Sequence, residues 1–187
     1  PFHLKDDRPG LKRRLADILD AQDVLILSGG VSKGKFDYVP EVMEELGLRR
    51  LFYKVQQRPG KPFWFGRHPD GKVVFALPGN PVSAFSGVHR FVLPWLRQNL
   101  GLPALPKEFA RLGQDFSFKP RLTYYLQVKL RNEGAVLTAY PFKGKGSGDL
   151  ANLADTDGFL ELPEDRTEFR AGEVFRLFRF RNFSFFD

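Results

Sequence analysis

Apolar residues recur at helical spacing over residues 9–20, where Leu11, Leu15, Ile18 and Leu19 share one face. Asp6 or Asp7 stands just before this stretch and Pro9 falls in its first turn, as expected of a helix start. The run VLIL at 24–27 is continuously apolar and closed by glycines, which predicts a strand buried on both faces of a parallel sheet. A second helix is expected over 40–46, from Pro40 to the stop at Gly47. LFYKVQ (51–56) and KVVFAL (72–77) read as strands closed by RPGKP and PGNP. Residues 82–100 predict a long helix, with Phe85, Val88, Val92 and Trp95 as its apolar stripe. Pro94 should kink that helix, because its ring removes one backbone hydrogen bond and crowds the preceding turn. Alternation of helices and strands in this order indicates an α/β layer structure.

The period changes after GLPALPKE (101–108), a proline-rich linker. In TYYLQVKLR (123–131), Tyr124, Leu126, Val128 and Leu130 alternate with Tyr125, Gln127, Lys129 and Arg131, the two-residue period of a strand. NEG (132–134) reads as a hairpin turn into AVLTAY, and GFLEL (158–162) and EVFRLFRF (173–180) as further strands. The expected organisation is an α/β domain over 1–102 and a small, mostly β barrel domain over 103–187.

Composition narrows the partners. The chain has 187 residues, 42% hydrophobic and 27% charged, which is ordinary for a globular protein. No apolar run approaches the roughly 18–20 residues that span a bilayer, and no secretory leader pattern is visible. With no cysteine, disulfides and thiolate chemistry are excluded, which fits a reducing, cytoplasmic setting. The formal net charge of +7 is compatible with a plain basic surface or with an anionic partner. The Lys and Arg residues are scattered rather than in runs, and no nucleic-acid-binding signature is present. The opening PFHLKDDRPG lacks an initiator Met, as expected of a piece of a longer protein.

Three loops leave apolar strands, and in an open parallel sheet such loops gather at one edge. In SGGVSKGKFDY, the residues Ser28, Gly29, Gly30 and Ser32 offer backbone N–H groups and hydroxyls with little bulk, a turn able to cup an anion. Gly29, Gly34 and Lys35 nearly match a P-loop, but Phe36 replaces the Ser or Thr that would hold Mg²⁺, so a P-loop nucleotidase is excluded. Asp37 reads either as a helix cap or as a carboxylate for a divalent cation. In RPGKPFWFG, Arg58 and Lys61 flank a turn stiffened by Pro59 and Pro62, suited to an oxyanion or to plain exposure. In LPGNPVSAF, Gly79 precedes Asn80, a helix cap, and Pro81 fits the first helical position; Ser83 adds a hydroxyl beside the opening N–H groups.

SGGVSKGKFDY, RPGKPFWFG and LPGNPVSAF, in this order, resemble the MoeA family of molybdopterin molybdenumtransferases, to which the E domain of gephyrin is related. GSGDLANLADTDGFLELPED is similar to that family's C-terminal barrel. The resemblance implies a MogA-like three-layer α/β/α domain, truncated at its N-terminus, followed by a barrel. It implies insertion of molybdate into adenylylated molybdopterin with release of AMP, aided by Mg²⁺ or another divalent cation, and a homodimer. By position, Ser32, Lys61, Pro62 and Ser83 match residues lining the molybdate and pterin-phosphate region, and Asp37 matches an aspartate of the metal-dependent step. One of Asp6 and Asp7 matches a further acidic position, and Arg121 and Ser147 match barrel residues that close the site.

The chain also departs from the family pattern. Arg58 stands where Lys is usual, replacing a point charge by a planar fork, and Pro40 stands where many members carry Lys. The acidic and Arg residues often found near TYYLQ are not there. Family members are roughly twice this length by domain size, and their acidic TGDEL-type loop lies before the point where this chain begins. A MogA-type adenylyltransferase is the alternative enzyme, disfavoured by the barrel half, and a gephyrin-like scaffold is the alternative without catalysis. The chain alone is expected to be inactive. An assay for molybdate-dependent cofactor formation tests this, and clear turnover would refute it.

Overall fold

The computed structural model describes residues 7–31, 38–142 and 151–181. They fall into two compact units, one of residues 1–55 with 60–84 and one of 56–59 with 85–187. The expected boundary at 102/103 therefore lies inside the second unit. Ser32, Asp37, Asp6 and Ser147 lie outside the described residues.

In the first unit, helix α1 (Arg8–Ala21) opens on Asp7, whose side chain accepts a hydrogen bond from the Gly10 N–H at 2.9 Å. This satisfies one of the donors left over at a helix start. Leu11, Leu15, Ile18 and Leu19, the apolar stripe read from the sequence, are all buried. Strand β1 (Val24–Ser28), helix α2 (Val39–Glu45) and strand β2 (Arg49–Tyr53) follow. Strands β4 (Trp64–Arg67) and β5 (Val73–Leu77) complete a sheet of order β1-β5-β4-β2; between β2 and β4 the chain runs through the short β3 (Gln57–Arg58) of the second unit. β1 and β5 are parallel, whereas β4 runs antiparallel to both its neighbours.

One face of this sheet, carrying Leu25, Trp64, Val74 and Ala76, packs with α1 and with Val42 and Met43 of α2. The other face bears an aromatic cluster in which Phe65 lies 4.7 Å from Phe75 and Phe52 lies 5.2 Å from Phe63, centroid to centroid. The expectation that 24–27 is buried on both faces is corrected here: Ile26 is 45% exposed. β1 pairs only with β5 among the described residues, so at this edge Ile26, on the face opposite α1 and α2, is flanked by a strand on one side only. A second correction concerns 64–66, read as the end of the loop RPGKPFWFG and found in strand β4. Trp64 lies over Gly66, where an added Cβ would come within 2.2 Å of the indole. That glycine is a packing requirement, not a turn signal.

In the second unit, the helical stretch after Pro81 is divided. Helix α3 (Pro81–Gly87) begins in the first unit; a π-helical turn (Val88–Val92) and helix α4 (Leu93–Asn99) follow. Pro94 has no N–H to return to residue 90, and its ring crowds that carbonyl; widening the preceding turn accommodates both. The expected kink is thus realised as a π turn.

Strands β6 (Glu108–Leu112), β8 (Thr123–Glu133), β9 (Val136–Pro141), β10 (Gly158–Leu162) and β12 (Val174–Arg179) close into a barrel. The order β10-β12-β6-β9-β8 returns on itself through the β8–β10 pairing, which leaves no open edge in the ring. Leu126, Val128, Leu130, Ala139, Leu160, Leu162 and Leu177 belong to its core, as the two-residue period predicts. The short strands β7 (Phe116–Ser117) and β11 (Glu168–Phe169) pair beside it, and helix α5 (Ala151–Asp155) precedes β10. β3 adds in parallel to β8, with Gln57 opposite Thr123 and Arg58 opposite Tyr124.

Two outcomes check this account. Leu15→Ala removes a fully buried side chain between α1 and the sheet and should cost about 2–5 kcal/mol in denaturant unfolding. Asp115 accepts hydrogen bonds from the Ala171 N–H at 2.8 Å and from Arg170 at 2.7 Å, which hold its carboxyl below the ordinary value of 3.8. A depressed carboxyl stabilises above its unfolded pKa, and that contribution disappears as pH falls through the folded value. Asp115→Asn should therefore lower the melting temperature near neutrality but not in strong acid, as thermal scans across pH will show.

Candidate functional site

The strand directions place three chain segments at one edge of the first sheet. β1 and β5 are parallel and in register from Val24↔Val73 to Ser28↔Leu77, so their carboxyl ends are adjacent. β4 enters at this edge, with Trp64 opposite Ala76, and β2 leaves at it, with Tyr53 opposite Trp64. The stretches after Ser28, before Trp64 and after Leu77 therefore converge, as expected of the three loops.

Contacts tie these segments together. The Gly29 N–H donates to the Leu77 carbonyl at 2.9 Å, and the Ser28 hydroxyl donates to the Pro78 carbonyl at 3.2 Å. Gly79 sits so close to Gly29 that a Cβ on it would lie 3.5 Å from the Gly29 Cα. Gly29 and Gly30 have φ of 99° and 70°, a region that disfavours side chains, and a Cβ on Gly30 would come within 2.6 Å of Val39. These glycines shape the turn; the Gly29 N–H itself is already bonded to the last residue of β5. From β2, the Tyr53 hydroxyl donates to the Val31 carbonyl at 2.9 Å. The segment entering β4 is fixed by Lys54 N–H to the Phe63 carbonyl and Val55 N–H to the Lys61 carbonyl, each 3.0 Å. Lys61 is exposed and Pro62 half-buried within this segment.

After β5, Asn80 does what the sequence predicts of a cap. Its Oδ1 accepts from the Ser83 N–H at 2.9 Å and from the Ser83 hydroxyl at 3.1 Å. Ser83 is only 6% exposed, and its hydroxyl is engaged with Asn80. Pro81 starts α3 and is exposed.

Arg58 and Arg121 belong to the second unit. Instead of lying in a loop beside Lys61, Arg58 is in β3, with its guanidinium 5.9 Å from the Phe118 ring. Arg121 is exposed in the turn just before β8, at the end of that strand where β3 pairs. Asp7 caps α1, as described above. Ser32, Asp37, Asp6 and Ser147, expected at the site, are outside the described residues.

Lys54 is a residue that sequence reasoning missed. It lies at the same edge with φ of 68°, and its ammonium is 5.0 Å from the Tyr53 ring. A non-glycine residue held in the left-handed region at a strand end is uncommon, but that conformation is not encoded in any single letter. The edge thus carries Lys54 and Lys61, while Asp23, before β1, and Asp70, in the β4–β5 turn, stand at the sheet's opposite end. Such an arrangement favours an oxyanion at the loop edge.

Comparison with known proteins is consistent with this geometry. Residues 1–98 match the family of probable molybdopterin binding domains, and residues 110–179 match the MoeA C-terminal region, domain IV. The class is therefore a molybdopterin-binding α/β domain joined to a MoeA-type barrel. The chain belongs to the MoeA family. It is 44% identical over 175 residues to a molybdopterin molybdenumtransferase of Synechocystis, covering 92% of this chain and 42% of the relative. A molybdopterin molybdenumtransferase of Staphylococcus epidermidis is 32% identical over 158 residues, covering 83% and 38%. Among solved structures, a molybdopterin biosynthesis MoeA protein of Pyrococcus horikoshii superposes with a TM-score of 0.75 at 34% identity, covering 95% of this chain and 42% of that one. The chain thus spans about two fifths of the length of these relatives.

The loop geometry makes a direct prediction. Asn80→Ala removes the acceptor for two Ser83 donors and should cost roughly 1 kcal/mol, measurable by chemical denaturation, whereas Asn80→Asp should retain most of the stability.

Proposed function

We propose that this chain supplies part of the substrate site of a molybdopterin molybdenumtransferase, which inserts molybdate into adenylylated molybdopterin and releases AMP. The observation that carries this reading is the convergence at one sheet edge of Ser28–Gly30, Lys61–Pro62 and Gly79–Pro81, with Lys54 and Lys61 as its cations. Molybdate and the phosphoanhydride of the adenylate are both oxygen-rich anions. Fixed cations beside small, rigid turns hold such groups in place and offset charge that builds up as the anhydride breaks. Lys61 is assigned to the oxyanion, Pro62 to stiffening its loop, and Gly29, Gly30 and Gly79 to letting the backbone come close. Ser32 and Ser83 are assigned to the same edge, the assignments of Arg58, Arg121 and Ser147 rest on family resemblance alone, and no protein nucleophile is required.

Mg²⁺ or another divalent cation belongs to the reaction by family resemblance, through Asp37 and Asp6 or Asp7. Among the described residues no group of three or more His, Asp or Glu side chains could hold a metal ion. The Asp7 carboxylate already accepts from Gly10. The described residues therefore do not form a metal site, and no step is routed through one. The MoeA-type region at 110–179 favours this transferase over a MogA-type adenylyltransferase. A homodimer and a cytoplasmic setting are part of the proposal. No helix among the described residues is long and apolar enough to cross a membrane.

Tungstate serves as an electron-dense stand-in for molybdate. Anomalous diffraction from crystals soaked in tungstate should show a peak beside residues 28–30, 61 and 79–81. Lys61→Ala should weaken molybdate binding about tenfold in calorimetry, the scale of one charged hydrogen bond. A peak elsewhere on the chain, or undiminished affinity in Lys61→Ala, would overturn the assignment.

A further inference from the structure

The second unit contains a cavity of about 600 Å³ lined by none of the loop-edge residues just described. One wall is the end of α4 and the segment 101–107; the other is β12 and the start of β6. This volume lies in the range of small-molecule sites. The wall contributed by 101–107 has no regular secondary structure, yet it is tethered. The Arg97 Nε–H donates to the Pro103 carbonyl at 2.8 Å, and the Leu102 N–H donates to the Arg97 carbonyl at 2.9 Å. Held this way, the segment stands over the cavity rather than filling it, and Leu102 and Leu105 remain 47% and 45% exposed.

The charges of the lining are unequal. Lys107, Arg176 and Arg179 line it with a single carboxylate, Glu108. Glu108 pairs with Arg179 at 2.8 Å. Arg176 reaches Glu161 at 4.0 Å, but that carboxylate is shared with Arg90 at 3.4 Å. Lys107 has no ion-pair partner among the described residues. The Arg176 guanidinium is also positioned, 4.6 Å from the centroid of the Phe178 ring that lines the same cavity. The remaining titratable group on the wall, His89, packs 4.5 Å from Phe85, and burial lowers its pKa, so it adds no charge near neutrality. An apolar chamber with excess fixed positive charge is complementary to a ligand with an apolar body and one negative head.

We propose that this cavity is a binding site for a small organic monocarboxylate with an aromatic or aliphatic body. The body lies against Leu102, Leu105 and Phe178, and the carboxylate faces Lys107 and Arg176. The site lies wholly within the second unit and shares no residue with the proposed oxyanion edge.

The test uses the 187-residue chain and two probes of nearly equal shape, 1-naphthoate and the neutral 1-naphthamide, titrated by calorimetry and by heteronuclear NMR. Naphthoate should bind saturably at one site per chain and about five- to tenfold more tightly than the amide, the scale of one or two partly exposed charge contacts. Lys107→Glu should weaken naphthoate by a similar factor while leaving the amide unchanged. Leu105→Trp, which fills the chamber, should abolish binding of both. Lys107 and Leu105 are both exposed, so these variants keep the fold, which far-ultraviolet circular dichroism confirms. No saturable binding, equal affinity for the two probes, or binding untouched by both substitutions would overturn the proposal.

Discussion

The parallel pairing of β1 with β5 is the constraint on which the site depends. Five residue pairs in register, Val24↔Val73 to Ser28↔Leu77, bring two chain stretches 49 positions apart to the same point at the same height. The Gly29–Leu77 hydrogen bond continues the pairing one step beyond the strands. A one-residue slip would turn Leu25 and Val74 away from α1 and α2 and move the loop glycines out of opposition. The burial of the helix-facing side of the sheet therefore also fixes the geometry of the loops, and loop placement and stability rest on the same register.

Much of this was legible from periodicity. The stripe Leu11, Leu15, Ile18 and Leu19 gave α1 with its cap, and the two-residue alternation of 123–131 gave the barrel strand β8. The motif residues Ser28, Gly29, Gly30, Lys61, Gly79 and Asn80 were readable because small residues and prolines after apolar runs have few other uses. What the letters do not carry is pairing. Strand β4 was hidden because WFGR has a glycine in it, and only the packing of Trp64 over that glycine explains its presence. Arg58 looked like a partner of Lys61 three positions on, whereas hydrogen bonding to β8 draws it into the other unit. The exposure of Ile26 reflects its place on the face opposite α1 and α2 at the sheet's edge, which no local pattern reports. Lys54 escaped notice for a similar reason, since its position is a property of backbone conformation.

The barrel solves a different problem. Its ring closes through β8, whose length of eleven residues lets it pair with β10, β9 and β3 along different stretches. On the outer side of the ring, opposite Leu126 and Leu160, buried polar groups also need partners, and Tyr125 shows how they are met. Its hydroxyl donates to Glu161 at 3.0 Å and accepts from Arg90 at 3.1 Å. Burial, reinforced by the Glu161 charge, pushes its pKa up to about 12, so the phenol stays a neutral donor at any physiological pH. The network joins the π-helical turn to two barrel strands, and it gives Arg90 a fixed place despite the irregular backbone around it.

The excursion of residues 56–59 has a topological consequence. The chain passes from the first unit to the second at 55/56, returns at 59/60 and leaves again at 84/85. No single backbone cleavage can therefore yield the two bodies as intact products. A recombinant piece starting at the proline-rich stretch near 102 would lack both β3 and the helical turns from Phe85 onward. Dissecting this molecule into independent parts requires circular rearrangement or a grafted strand rather than simple truncation.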